Sequence, residues 1–107
     1  MATPTLLAHT QIPATKGDIY APTSGVVGVV HNIMVHNTNT TDEDVQIYIT
    51  DGTTEYKFYY ITLPANDTFV PDFRGEGLVI NGTNGAKITA VTTTAAKVNI
   101  TLHGSVL

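Results

Sequence analysis

The sequence predicts an all-β fold, an antiparallel β-sandwich of about eight short strands. Three observations point there. Val45, Ile47 and Ile49 alternate with Gln46, Tyr48 and Thr50, and Val98, Ile100 and Leu102 alternate with Asn99, Thr101 and His103. A period of two marks a strand with one buried and one wet face. Turn-forming clusters recur at the roughly eight- to twelve-residue spacing of sandwiches and barrels. Apolar residues nowhere recur at i, i+3, i+4 and i+7 over a helical length. The chain has 107 residues, which suits one domain around one core.

Taken in order, residues 1–16 are rich in Thr, Pro and Ala and show no periodicity. They read as an extended N-terminal arm with Leu6, Leu7 and Ile12 as docking points, and residues 17–107 read as the sandwich domain. A short first strand is expected at Asp18 to Ala21 and a longer one at Val26 to Val35. The turn Asn37-Thr38-Asn39 leads to the alternating strand at Val45, which Asp51-Gly52 ends. Tyr56 to Leu63 is the next apolar run, closed by Pro64-Ala65-Asn66-Asp67. Short runs follow at Thr68 to Val70 and Leu78 to Ile80. The cluster Asn81-Gly82-Thr83-Asn84-Gly85 then precedes Lys87 to Val91, and the strand at Val98 comes last.

Composition narrows the function classes. Charged residues make up 13% of the chain, about half the usual quarter. Polarity comes instead from nineteen threonines, a strand-favouring residue. The net charge is -4 and the basic residues are scattered, so no nucleic-acid footprint exists. No run is long and apolar enough for a membrane helix. The opening MATPTLLAHTQIP has neither the basic nor the apolar region of a signal peptide. A cytosolic place of synthesis fits the absence of cysteine, which also removes disulfides and thiolate metal sites.

Two clusters invite a catalytic or metal reading. His31 and His36 are five apart, and on a regular strand an odd separation puts them on opposite faces. They then share no metal unless a β-bulge reverses the parity. His31 would share a face with Val29 and Ile33 and be partly buried. His9 and His103 have nothing in the sequence to bring them to the others. Asp42, Glu43 and Asp44 lack the spacing of an EF-hand loop, and read as acids that blunt a sheet end and keep a contact loop solvated. Asp72, Arg74 and Glu76 suggest a local ion pair. No G-x-S-x-G elbow, P-loop or H-E-x-x-H occurs. No catalytic residue, cofactor or metal is therefore expected, and the chain reads as not an enzyme.

The run TEYKFYYITLP concentrates aromatics. On a regular strand Tyr56, Phe58 and Tyr60 share one face, and Tyr59, Ile61 and Leu63 the other. A strand apolar on both faces needs a cover on each. The arm, a second copy of the chain or a ligand would serve, and tyrosines also stack on sugar rings. A homo-oligomer is expected, a trimer before a dimer, by the closed symmetry usual for such contacts.

With the strand order in hand, the chain resembles a family of small tailed-bacteriophage virion proteins. The features that carry this are Tyr20 to Pro22, Asn37-Thr38, Asp51-Gly52-Thr53, Leu63-Pro64-Ala65, Gly77-Leu78-Val79 and Val98 to Leu102. The resemblance implies a jelly-roll sandwich that decorates and cements a capsid, with the major capsid protein as partner and the virion surface as location. Related modules in tails and fibres make host-glycan recognition the alternative. The resemblance brings no catalytic residue. It leaves Leu6, Leu7, Ile12, Tyr56, Phe58, Tyr60, Asp42, Glu43 and Asp44 as the expected partner-binding set.

Overall fold

The structure, a computed structural model, describes residues 3–71 and 77–106. Two antiparallel sheets face each other. The strands are β1 (Thr3–Gln11), β2 (Gly17–Tyr20), β3 (Val27–Asn37), β4 (Glu43–Thr50), β5 (Glu55–Leu63), β6 (Thr68–Phe69), β7 (Leu78–Asn81), β8 (Lys87–Thr92) and β9 (Val98–Val106). A single 3-10 turn at Gly82–Asn84 is the one helical element among the described residues. One sheet has the order β1-β9-β3-β6, with β7 also on β3, and the other β2-β8-β4-β5. β6 and β7 pair with opposite ends of the same edge of β3, at Val35–His36 and at Val27–Val30. Counted as one interrupted strand, they leave eight strands in two four-stranded sheets, the jelly-roll arrangement.

Alternation builds the core. Val45 and Ile47 of β4 and Val98, Ile100 and Leu102 of β9 are fully buried, and Ile49 packs against them from the edge. Ile33 and Val35 of β3 and Ile80 of β7 close the same layer. The expected strands from residue 17 onward are all present. The N-terminal segment differs from its expectation. Residues 3–11 are not an arm laid outside the domain; they pair with β9 as the edge strand of the five-stranded sheet. The register slips between Leu6 and Ala8, and this bulge at Leu7 hides the alternation. Ile12, expected to dock on a partner, is fully buried in the chain's own core.

Bulges also move side chains elsewhere. Between Val30 and Asn32 the β3–β9 register slips by one. Val29 and Val30 are both buried, and His31, expected to be partly buried, is exposed beside Asn32. The slip brings β9 close to β3. A Cβ on Gly104 would stand 1.8 Å from the Val29 carbonyl oxygen, so only glycine fits there. Gly104→Ala should therefore force the two strands apart, with a loss of about 1–3 kcal/mol or more. Ser105→Ala, next door and half-exposed, should stay within about 0.5 kcal/mol. Urea midpoints of the two variants check this, and equal midpoints would contradict the close approach.

The β4–β5 hairpin turns as expected at Asp51-Gly52. Gly52 takes φ +105, and Asp51 Oδ1 accepts from the N–H groups of Thr54 at 2.9 Å and Thr53 at 3.2 Å. These hydrogen bonds, that of Thr54 first, hold the Asp51 carboxyl below the ordinary aspartate value.

Candidate functional site

The four-stranded sheet presents Asp44, Gln46 and Tyr48 of β4 outward, opposite Thr62, Tyr60 and Lys57 of β5. Phe58 is an extra residue in this ladder, because Ile47 pairs with Tyr59 and Tyr48 with Lys57. The bulge breaks up the face expected for Tyr56, Phe58 and Tyr60. Tyr60 points outward and is 58% exposed, Tyr56 lies exposed near the hairpin opposite Ile49, and Phe58 is half-buried beside Tyr59 with ring centroids 4.4 Å apart. Tyr59 meets Phe69 of the opposite sheet edge-on at 5.4 Å. Together these rings close the open side of the sandwich between β5 and β6.

The outward face is mixed, not apolar. The Tyr48 hydroxyl donates to Gln46 Oε1 at 2.6 Å, and Thr62 Oγ1 donates to Asp44 at 2.9 Å. Lys16 lies 4.1 Å over the Tyr48 ring and pairs with Glu55, and Lys57 lies 5.1 Å from the Tyr60 ring centre. A shallow pocket of about 160 Å³ opens between Asp44, Gln46, Tyr60, Val91, Thr92 and Thr93. One aromatic ring beside a carboxylate, an amide and a hydroxyl is a combination that can hold a polyhydroxylated ligand.

The acidic triplet divides. Asp42 and Asp44 are exposed, but Glu43 is 1% exposed and is not available to a partner. Its Oε1 accepts from Thr92 Oγ1 at 3.0 Å and from the Thr94 N–H at 2.8 Å, and its Oε2 from Asn39 Nδ2 at 2.9 Å. Burial pushes this carboxyl up. The hydrogen bonds from Asn39, Thr94 and Thr92 together outweigh burial and hold it below the ordinary glutamate value. Asn37, fully buried, donates to the carbonyls of Thr41, Leu63 and Pro64 and accepts from the Asn39 N–H. The loop from Asn37 to Glu43 is thus braced from inside by two buried polar side chains, and Thr38, Thr40, Thr41 and Asp42 form its exposed rim.

All four histidines stand on the other outer face, that of the five-stranded sheet. His9 Nδ1 and Thr101 Oγ1 share a hydrogen bond of 2.8 Å, as do His36 Nδ1 and Thr68 Oγ1 at 2.7 Å. His103 lies in register between Leu6 of β1 and Asn32 of β3. The bulge overturns the expectation that His31 and His36 face opposite ways. Five residues along one strand still separate them by roughly 15 Å, too far to share an ion. Among the described residues no group of three or more His, Asp or Glu is placed to hold a metal. Asp72, Arg74 and Glu76, with their expected ion pair, lie outside the described residues.

No family model and no curated protein matches this chain. Among solved structures, several are similar to it to differing degrees. A chain in the structure of infectious bursal disease virus, Gx strain, matches with a TM-score of 0.53 at 14% identity; the match covers 99% of the present chain and 32% of the viral one. The Gt strain structure gives 0.36 at 12% identity, over 98% and 32%. A pentameric capsid protein isolated from metagenomic phage sequences gives 0.41 at 18% identity, over 95% and 63%. The present chain spans about a third of the viral chain it fits best among these. At this identity the likeness is one of fold, the jelly-roll sandwich already traced.

Proposed function

We propose that the chain is a structural, non-enzymatic virion protein that binds the outer surface of a capsid as a homo-oligomer and cements the shell. The observation that carries this reading is the fold: nearly the whole chain matches one segment of a protein in a virus structure. The resemblance to small tailed-phage virion proteins supports the same role and makes the major capsid protein the partner. A sandwich suits it physically. Two sheets around one core leave two broad outer faces, and the sparse charge lets those faces meet other surfaces without strong repulsion. A trimer, with a dimer second, would match the local symmetry axes of an icosahedral shell.

The test is cryo-electron microscopy of particles assembled from the genome that encodes the chain. Density for the sandwich on the outside of the shell is the expected result. Purified particles that lack the chain by mass spectrometry would reject the reading.

The pocket beside Tyr60 favours one second reading, a tail- or fibre-associated module for host glycans. Base- and sugar-stacking rings of this kind contribute through their exposed faces. Oligosaccharide titration should then give saturable binding that Tyr60→Ala abolishes. Absence of binding at millimolar sugar would remove this reading.

A further inference from the structure

The two outer faces of the sandwich differ in a way that neither composition nor fold requires. Every charged strand residue among those described, namely Asp18, Glu43, Asp44, Glu55, Lys57 and Lys87, lies on the four-stranded sheet. The strands β1, β3, β6, β7 and β9 contain no Asp, Glu, Lys or Arg, and they contain all four histidines. Their outer face also exposes three large apolar side chains, Leu6 at 54%, Met34 at 42% and Val79 at 59%.

From this we infer that the outer face of the five-stranded sheet is the surface through which copies of the chain associate, and that acidification opens it. This rests on the reading that the chain self-assembles. A second copy is the occupant that the charge distribution fits. Each copy carries a net charge of -4, and contacts through the exposed acidic loops at Asp42, Asp51 and Asp67 bring like charges together. The charge-free face is where two such copies meet without that cost. Its size suffices. Four strand positions at about 4.8 Å and nine residues at about 3.3 Å give a footprint of roughly 500 Å², so two copies bury about 1,000 Å², the lower bound for a specific contact.

The histidines make this surface proton-sensitive. His103 is flanked by Leu6 and Asn32, His9 faces Thr101, His36 lies between Asn99 and Thr68, and His31 sits in the bulge against Gly77. Among the described residues, none of these neighbours is an acid that would hold an imidazolium. The charged groups at the nearest end among the described residues are in loops: Asp67, whose carboxylate accepts from the Thr68 N–H, and Lys97. A histidine covered by a second copy is favoured as the neutral ring, because the strands of this sheet carry no carboxylate to pair with an imidazolium. The assembled state therefore disfavours protonation relative to the free chains, and association weakens on acidification.

Sedimentation velocity of the full chain at pH 8.0 and pH 5.5 tests this, with Met34→Asp, Gln46→Asp and a variant carrying all four histidines as glutamine. The wild type should be an oligomer at pH 8.0 and dissociate at pH 5.5. Met34→Asp should be monomeric at both, Gln46→Asp should behave as wild type, and the glutamine variant should stay assembled at pH 5.5. Circular dichroism confirms that each variant is folded. An oligomer that survives Met34→Asp overturns this surface while leaving self-assembly standing. One that resists pH 5.5 overturns the proton sensitivity. A wild type monomeric at both pH values overturns the surface and solution self-assembly together, while the capsid location is decided separately by microscopy.

Discussion

Replacing Glu43 with alanine is expected to destabilise the fold by about 3–5 kcal/mol, the range for removing one partner of a buried polar cluster. Glu43 is fully enclosed and serves three donors from three places: Thr92 at the end of β8, the Thr94 N–H in the loop that follows, and Asn39 in the loop before β4. Alanine leaves all three donors without their acceptor. Against a domain stability of about 5–15 kcal/mol, this is a large share. Glu43→Gln keeps the shape and one acceptor oxygen, and turns its amide toward the Asn39 amide. Its loss should be smaller, about 1.5–3 kcal/mol, the worth of a hydrogen bond to a charged group.

The same carboxylate sets a pH dependence with a definite sign. Its folded-state pKa is depressed. The unfolded chain then binds the proton more readily than the folded one, and stability falls on acidification. The contribution of Glu43 is complete above the ordinary glutamate value of about 4.3 and is lost as pH falls through the lower folded-state value. Urea denaturation from pH 7 to pH 2.5 should show wild type and Glu43→Gln converging at the acid end. A constant gap between them across that range would mean that the carboxylate charge plays no part in the loop anchor.

How far the sequence carried can be judged from the bulges. Alternation and turn chemistry are local, and they located every strand from β2 to β9. A bulge shifts the period by one residue without changing which residues are apolar, so faces counted across it invert. This is why the face shared by Tyr56, Phe58 and Tyr60 dissolved at Phe58, and why His31 turned outward. It also explains β1, where Leu6 and Leu7 stand side by side and the strand reads as an arm. Glu43 was illegible for a different reason. Nothing local distinguishes it from Asp42 or Asp44, and its burial depends on the Thr92–Thr94 segment some fifty positions away. The gathering of the histidines is non-local too. His9, His36 and His103 come onto one sheet face only because β9 lies between β1 and β3.

Ile100→Ala is the second large effect, and it tests the face assignment itself. Ile100 is the third residue of β9, in register with Thr10 of β1 and Val35 of β3, and its side chain is fully buried in the core. Central strands have neighbours on both sides, so the backbone around it has little room to collapse into the space that alanine leaves. The expected loss is about 2–5 kcal/mol, the range for aliphatic truncation with a residual cavity. For a domain near 100 residues that lowers the melting temperature by roughly 10–30 °C. Met34 stands on the adjacent strand with the opposite orientation, exposed on the charge-free face. Met34→Ala should therefore change the stability of the separated chain by no more than about 0.5 kcal/mol. Measured below the concentration at which copies associate, the pair separates inside from outside on one sheet. A melting temperature for Ile100→Ala within a degree or two of wild type would place Ile100 on the wrong side, and the core built on the alternation of β9 with it.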